Sequence, residues 1–224
     1  MSEARDTVLG TIRRSLGVTG REASRRDAVA ARIAAARPGV VPARGQLPEA
    51  GRLALFCEKA EAAAATVARV AGAADVPGEV ARFLRDNNLP ATLRRGADPL
   101  LAAMPWEATA LDVTAGASDG SDMNGISRAF GAVAESGTLA LVSGQDNPTT
   151  LNFLPDNHVV VVEARDVAGD YEAVLARLRE RFGKGAMPRT LNFVTGPSRS
   201  ADIEQTLILG AHGPRRLHIV VIEG

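Results

Sequence analysis

The sequence predicts an α/β protein, a three-layer sandwich on a mostly parallel or mixed sheet. Three features carry that reading. "HVVVVE" (His158–Glu163) and "LHIVVI" (Leu217–Ile222) are nearly continuous apolar runs rich in β-branched residues, the composition of strands covered on both faces. Helical periodicity recurs between such runs, as in Tyr171, Val174, Leu175, Leu178 and Phe182. A length of 224 residues with 46% apolar content allows one sizeable core with added elements.

Taken in order, Leu9, Ile12 and Leu16 share one face of a helix over Asp6–Leu16, and the alanine-rich stretch Arg21–Arg37 predicts a second helix ending at Pro38. "RPGVVPARGQLP" (Arg37–Pro48) holds three prolines and two glycines and reads as loop. Residues 1–50 therefore read as a helical N-terminal arm, docked on its own core or on a neighbouring subunit, and residues 51–224 as the α/β domain. Leu53–Val70 reads as helix. Pro77 opens another, with Val80, Phe83 and Leu84 on one face and Asn87-Asn88 at its end. "ATLR" (Ala91–Arg94) and "ATALDV" (Ala108–Val113) are short strands. "GAVAESGTLALVSG" (Gly131–Gly144) reads as two apolar strands pinched at Glu135-Ser136-Gly137. Asp170 suits an N-cap and Gly183 the end of the helix that follows. "TLNFV" (Thr190–Val194) reads as a buried strand.

The net charge is zero, but residues 1–52 carry ten arginines against five carboxylates, an excess of five balanced by the remainder. These arginines alternate with alanines and acids, the pattern of a solvated helix face rather than a nucleic-acid surface. No apolar stretch reaches the ~20 residues of a membrane span, and "MSEARDTVLG" lacks the pattern of a signal peptide. The expectation is a cytoplasmic protein. Cys57 is the lone cysteine, so the chain has no internal disulfide framework and no cysteine-ligated iron–sulfur cluster of its own. The composition identifies no cofactor.

Two segments carry candidate chemistry. In "GPSRSADIEQ" the residues Gly196, Ser198, Arg199, Ser200 and Asp202 follow a strand, and a helix is expected to start near Ser198–Ala201. Unpaired N–H groups at such a helix start, with two hydroxyls and a guanidinium, suit a carboxylate or phosphate. The same residues also read as a helix cap braced by Arg199, and the residue types do not separate the two. In "AESGTLAL" Glu135 sits between apolar strands beside Ser136, Gly137 and Thr138. A carboxylate there is costly unless paired or working, and it suits a nucleophile or general base; an exposed turn glutamate is the plain alternative. Asn152 and Asn157 bracket a Leu-Pro turn that either lines a cleft or only connects elements. Asp119 and Asp122 lie in a polar, flexible loop without metal-ligand spacing. His158, His212 and His218 show no metal spacing and read as core or turn histidines.

Together "FGAVAESGTLAL", "LPDNHVVVV" and "RTLNFVTGPSRSADIEQTLILGAHGPRRLHIVV" resemble the LUD-domain family, of the lactate utilisation protein C type. The resemblance covers roughly Leu53 to the C-terminus. The family commonly has threonine where this chain has Ser136 and Ser200, so the hydroxyls are kept. The resemblance implies a fold like that of sugar-phosphate isomerases, CoA-transferases and formyltetrahydrofolate cyclo-ligase. It also implies a role in oxidising L-lactate to pyruvate beside subunits that carry iron–sulfur clusters, with a small carboxylate or other anion as ligand. Two alternatives stand beside it. One is a non-catalytic subunit that docks an iron–sulfur partner. The other is acyl or CoA transfer through Glu135, whose turn is similar to the glutamate turn of CoA-transferases.

Overall fold

The structure is a computed structural model that describes residues 3–201, 207–209 and 212–224. The chain divides into two compact units, Met1–Val40 and Val41–Gly224. The first holds helices α1 (Glu3–Leu16) and α2 (Ala23–Ala35). The Glu22 carboxylate accepts from the Thr19 N–H and hydroxyl and from the Gly20 N–H, which fixes the turn before α2. Residues 41–50, read from sequence as part of the arm, belong to the second unit. Gly45 and Gly169 meet backbone to backbone there, with no room for a side chain on either.

The second unit is built on six strands: β1 (Thr66–Val70), β2 (Thr92–Arg95), β3 (Asp112–Ala115), β4 (Asn124–Arg128), β7 (Asn157–Glu163) and β12 (Arg216–Ile222). They lie in the order β1-β12-β7-β4-β2-β3 and every pairing is parallel. Side chains alternate along β7. Val159 and Val161 join one core with Val76, Val80, Phe83 and Leu84 of α4 (Val76–Asp86), and with Leu101 of the short α5 (Pro99–Ala102). Val160 and Val162 join the other core with Leu53, Phe56 and Ala60 of α3 (Glu49–Ala62). Each large apolar side chain buried in these cores contributes about 1.5–3 kcal/mol.

The α3 side also carries a second sheet: β5 (Gly131–Val133), β6 (Thr138–Val142), β8 (Val167–Ala168) and β9 (Leu191–Val194), in the order β8-β5-β6-β9. Helix α6 (Tyr171–Phe182) covers its outer face through Val174. Asp170 caps α6, accepting from the Ala173 N–H at 2.9 Å, and Gly183 follows the helix with φ 89°. A two-stranded ribbon, β10 (Arg199–Ala201) and β11 (Leu207–Leu209), completes the unit. No helix among the described residues is long and apolar enough to cross a membrane.

The α/β class and the largely parallel sheet agree with the sequence reading, and four local readings change. The helix expected over Leu53–Val70 is α3 followed by β1. Ala64 takes the left-handed conformation (φ 65°), the Ala65 N–H returns to Ala60 O at 3.0 Å, and Thr66–Val70 then pairs with β12. An alanine run carries no breaker, so its periodicity hides that end. The helix expected at Ser198–Ala201 is strand β10, because the Ser198 N–H donates to Pro214 O at 2.8 Å and leads an extended chain into pairing with β11. The "TLNFV" strand is an edge strand, paired to β6 alone with Phe193 largely exposed, not a buried one. The strand expected at Ala108–Val113 begins later, at Asp112, after a 3-10 turn over Trp106–Ala108.

The turn between β5 and β6 depends on Gly137. Its φ is 67°, its N–H closes the turn to Val133 O at 3.0 Å, and an added Cβ would collide with the backbone N of Ala60 and stand 2.8 Å from its Cα. Gly137→Ala is expected to destabilise the protein by about 3 kcal/mol or more, from left-handed strain and the clash together. Urea unfolding checks it, and an unchanged midpoint would refute this account of the turn.

His218 lies in the α4-side core, stacked on Phe83 with ring centroids 4.2 Å apart. Its Nε2 is 3.1 Å from Glu79 Oε1 and its Nδ1 is 2.8 Å from Thr66 Oγ1. Burial outweighs the Glu79 carboxylate and pushes the imidazole down to about 4, so the ring is neutral despite ion-pair geometry. Burial alone pushes His158 down to about 3. With folded values below the unfolded ~6.5, the unfolded chain binds more protons in between. Stability is then complete above pH ~6.5 and falls as the pH drops toward 4, by on the order of 3 kcal/mol for His218 alone. Equal urea midpoints at pH 7 and pH 5 would contradict this.

Candidate functional site

A cavity of about 270 Å³ lies where the turn after β9 meets the starts of β7 and β12. Its wall includes Asn152, His158, Thr195, Ser198, Arg199 and His212. The turn that forms one side is held by Gly196, which has φ 71° and packs against the carbonyl of Ala63 just beyond α3. Arg199 donates from Nη2 to that same carbonyl at 2.6 Å, and the rest of its exposed guanidinium has no carboxylate partner among the described residues.

The floor is polar and buried. His158 opens β7 and Ser127 lies on β4, on the same face of the sheet. His158 Nε2 is 3.0 Å from Ser127 Oγ, and Ser127 Oγ donates to Asn152 Oδ1 at 3.1 Å. All three residues are at most 2% exposed. Two atoms at the ends of this chain, His158 Nδ1 and Asn152 Nδ2, are buried with no hydrogen-bond partner among the described residues.

A second polar cluster borders the cavity. The hydroxyls of Ser136 and Thr138 lie 2.7 Å apart, Tyr171 OH is within 3.0 Å of both, and Thr138 Oγ1 is 2.7 Å from Thr195 Oγ1. Because β6 and β9 are antiparallel, the start of one lies beside the end of the other, which brings Thr138 to Thr195. Glu135 stands outside the cavity wall. Its carboxylate is 5% exposed, its Oε2 lacks a hydrogen bond, and Arg44 Nε approaches that oxygen to 3.4 Å. The pair is an ion contact with poor hydrogen-bond geometry, so the charge of Glu135 is offset but its oxygen is not fully satisfied.

Of the residues singled out from sequence, Asn152, Gly196, Ser198 and Arg199 share the cavity, and Ser136 and Thr138 reach it through Thr195. Gly137 shapes its turn, and Glu135 faces Arg44 instead. Ser200 has a backbone position in β10, and Asp202 lies outside the described residues. With β10 in place of a helix, the array of helix-start N–H donors expected at Ser198 is not formed. The cavity also sits at the starts of the parallel strands, not at the ends where open sheets usually bind ligands. Asn157 braces the sheet, donating to Asn124 Oδ1 at 2.9 Å, and Asp122 pairs with Arg94 at 3.0 Å. Sequence reading did not single out Ser127, Tyr171, Thr195 or Arg44, and took His158 for a core or turn residue. A serine inside a buried strand was the available signal for the floor.

Comparison with known proteins agrees with this architecture. "Lactate utilization protein C" of Geobacillus thermodenitrificans is 40% identical over 91 residues, 40% of this chain and 38% of that protein. The protein of the same name from Bacillus subtilis is 32% identical over 91 residues, again 38% of its length. The matched stretch thus spans well under half of these relatives. The crystal structure of a DUF162 family protein from Deinococcus radiodurans superposes with a TM-score of 0.57 at 25% identity, over 79% of this chain and 99% of that one. The LUD domain family model matches residues 53–222, from the first turns of α3 to the last residue of β12, and the chain belongs to the LUD-domain family.

Proposed function

We propose that this chain is a component of an L-lactate utilisation system and that its cavity holds a small carboxylate. Family membership and the name carried by the relatives support the first part. Arg199 carries the second. Its guanidinium lines the cavity with no described carboxylate to neutralise it, beside the hydroxyls of Ser198 and Thr195. A guanidinium fork with adjacent hydroxyls is suited to a carboxylate.

Conversion of L-lactate to pyruvate releases two electrons and two protons, so an electron acceptor is required. A chain whose lone cysteine is Cys57 cannot ligate a cysteine-held cluster by itself, which suits partner subunits that carry iron–sulfur clusters. In this division the chain binds and orients the carboxylate while the partners take the electrons. A second reading, acyl transfer through Glu135, is favoured by the buried, unbonded Oε2. Arg44 Nε lies 3.4 Å from that oxygen and sets a positive charge beside the carboxylate, the surroundings of a carboxylate nucleophile.

Arg199→Ala is expected to weaken L-lactate binding about ten- to a hundredfold, the loss of a charge-assisted contact of about 1.5–3 kcal/mol. Stability should change by less than about 1 kcal/mol, because the side chain is exposed. Arg199→Lys keeps the charge without the fork and should fall between. Binding followed by NMR titration, with thermal melts in parallel, tests this. Unchanged binding with lowered melting in both variants would make Arg199 a brace for the turn and end the carboxylate reading. Glu135→Gln separates the second reading, which requires that activity be lost while carboxylate binding is kept.

A further inference from the structure

We infer that a second cavity, at the carboxyl ends of the parallel strands, binds the phosphoryl group of a small molecule through the guanidiniums of Arg128, Arg165, Arg177 and Arg181. The inference is independent of the carboxylate reading above, which concerns the opposite ends of the strands.

This cavity measures about 470 Å³, against 270 Å³ for the first, and all four arginines line it. Arg128 is the last residue of β4, and Arg165 lies in the 3-10 turn over Ala164–Asp166 that follows β7. Arg177 and Arg181 come from α6, Arg181 from its last turn. The cavity is therefore at the rim where open α/β sheets usually take ligands, and its volume suits a small molecule.

The four cations form two pairs. Arg128 and Arg165 reach the two oxygens of one carboxylate, Glu163. The guanidinium carbons of Arg177 and Arg181 stand 5.5 and 5.6 Å from the centroid of the Phe130 ring. Arg181 also lies over Phe182 at 5.3 Å, and it has no carboxylate partner among the described residues. An aromatic face holds a guanidinium in place without cancelling its charge.

Carboxylates line or flank the cavity as well, and their depth decides what an incoming ligand meets. The side chains of Asp98, Glu163 and Asp166 are at most 16% exposed, whereas those of Arg128, Arg177 and Arg165 are 30, 35 and 75% exposed. Asp98 Oδ1 also accepts from the Leu100 and Leu101 N–H groups, and Asp166 pairs with Arg177. The acids are the shielded layer and the bases the solvent-facing one. Asp146 is the exception: it lines the cavity, is exposed, and has no ion pair among the described residues. A single guanidinium fork is enough for a carboxylate. A phosphoryl group carries up to two charges and three acceptor oxygens, so it can engage several forks at once.

The test is titration of the full chain with inorganic phosphate, glycerol 3-phosphate and acetate at fixed ionic strength, followed by NMR. Both phosphates are expected to bind at least about tenfold more tightly than acetate. Arg181→Ala leaves no carboxylate behind and should weaken phosphate binding about ten- to a hundredfold. Asp146→Asn removes the opposing charge and should tighten it about two- to fivefold. Arg199→Ala, in the other cavity, should leave it unchanged. If Arg181→Ala fails to fold, the exposed Arg165→Ala takes its place. Absence of phosphate binding, or acetate binding as tight as phosphate, would overturn the inference. So would phosphate binding lost on Arg199→Ala but kept on Arg181→Ala, which would put the anion in the first cavity. Phosphate bound more tightly than its ester would make this a site for the free ion and overturn the small-molecule assignment.

Discussion

The last turn of α3 is the point on which the rest of the unit depends. Two glycine turns, from distant parts of the chain, press their backbones against it: Gly137 against Ala60 and Gly196 against the carbonyl of Ala63. Neither contact leaves room for a Cβ, and both glycines have positive φ. Helix-end carbonyls lack intrahelical donors and carry partial negative charge, so a guanidinium at Ala63 O is favourable on both counts. The same end releases the chain through left-handed Ala64 into β1. One helix terminus thus fixes the hairpin that holds Glu135, the turn that holds Arg199, and an edge strand of the main sheet.

The cavity floor is a polar stretch beside the apolar centre of its face of the sheet. His158, Val160 and Val162 alternate onto the α3 side of β7, as Ser127 of β4 and Ala129 just after it also do. Toward the strand ends the centre of this face is apolar, with Val160, Val162, Ile219 and Val221, and packs against Ala132, Leu139 and Leu141 of the second sheet. At the strand starts it turns polar, and there the sheet faces a cavity rather than packed side chains. His218 shows the alternative on the opposite face: it is equally buried, but both ring nitrogens have partners and Phe83 covers its plane. Two histidines on adjacent strands therefore differ in that His158 Nδ1 has no hydrogen-bond partner among the described residues.

Local signals marked much of this architecture. The uninterrupted valine run marks β7 as central, and Asp170 and Gly183 mark the ends of α6, because each depends on contacts within a few residues. The Glu135–Gly137 pinch was legible for the same reason. What was hidden depends on long-range pairing. Residues 199–201 carry no strong strand signal, and they are a strand because 207–209 lie beside them. The alanines at the end of α3 suit a helix, and β1 exists because β12 provides a parallel partner. Arg44 is in a loop remote in sequence from Glu135, so no spacing rule connects them. The Asn152–Ser127–His158 chain joins three elements across the parallel register, and only that register shows the three residues to be neighbours.

Two arginines near the site have opposite electrostatic positions, and the difference bears on what the site does. Arg44 stands beside a carboxylate buried nearly to completion, so its charge is used in making Glu135 tolerable there. A further anion at that point would compete with Glu135 for one cation and would be repelled by it. Arg199 is held by a neutral carbonyl instead. A carbonyl fixes the direction of the guanidinium without cancelling its charge, and no carboxylate among the described residues cancels it. Among the described residues, the electrostatics therefore separate a buried carboxylate with its own counter-charge from an exposed guanidinium held by a carbonyl.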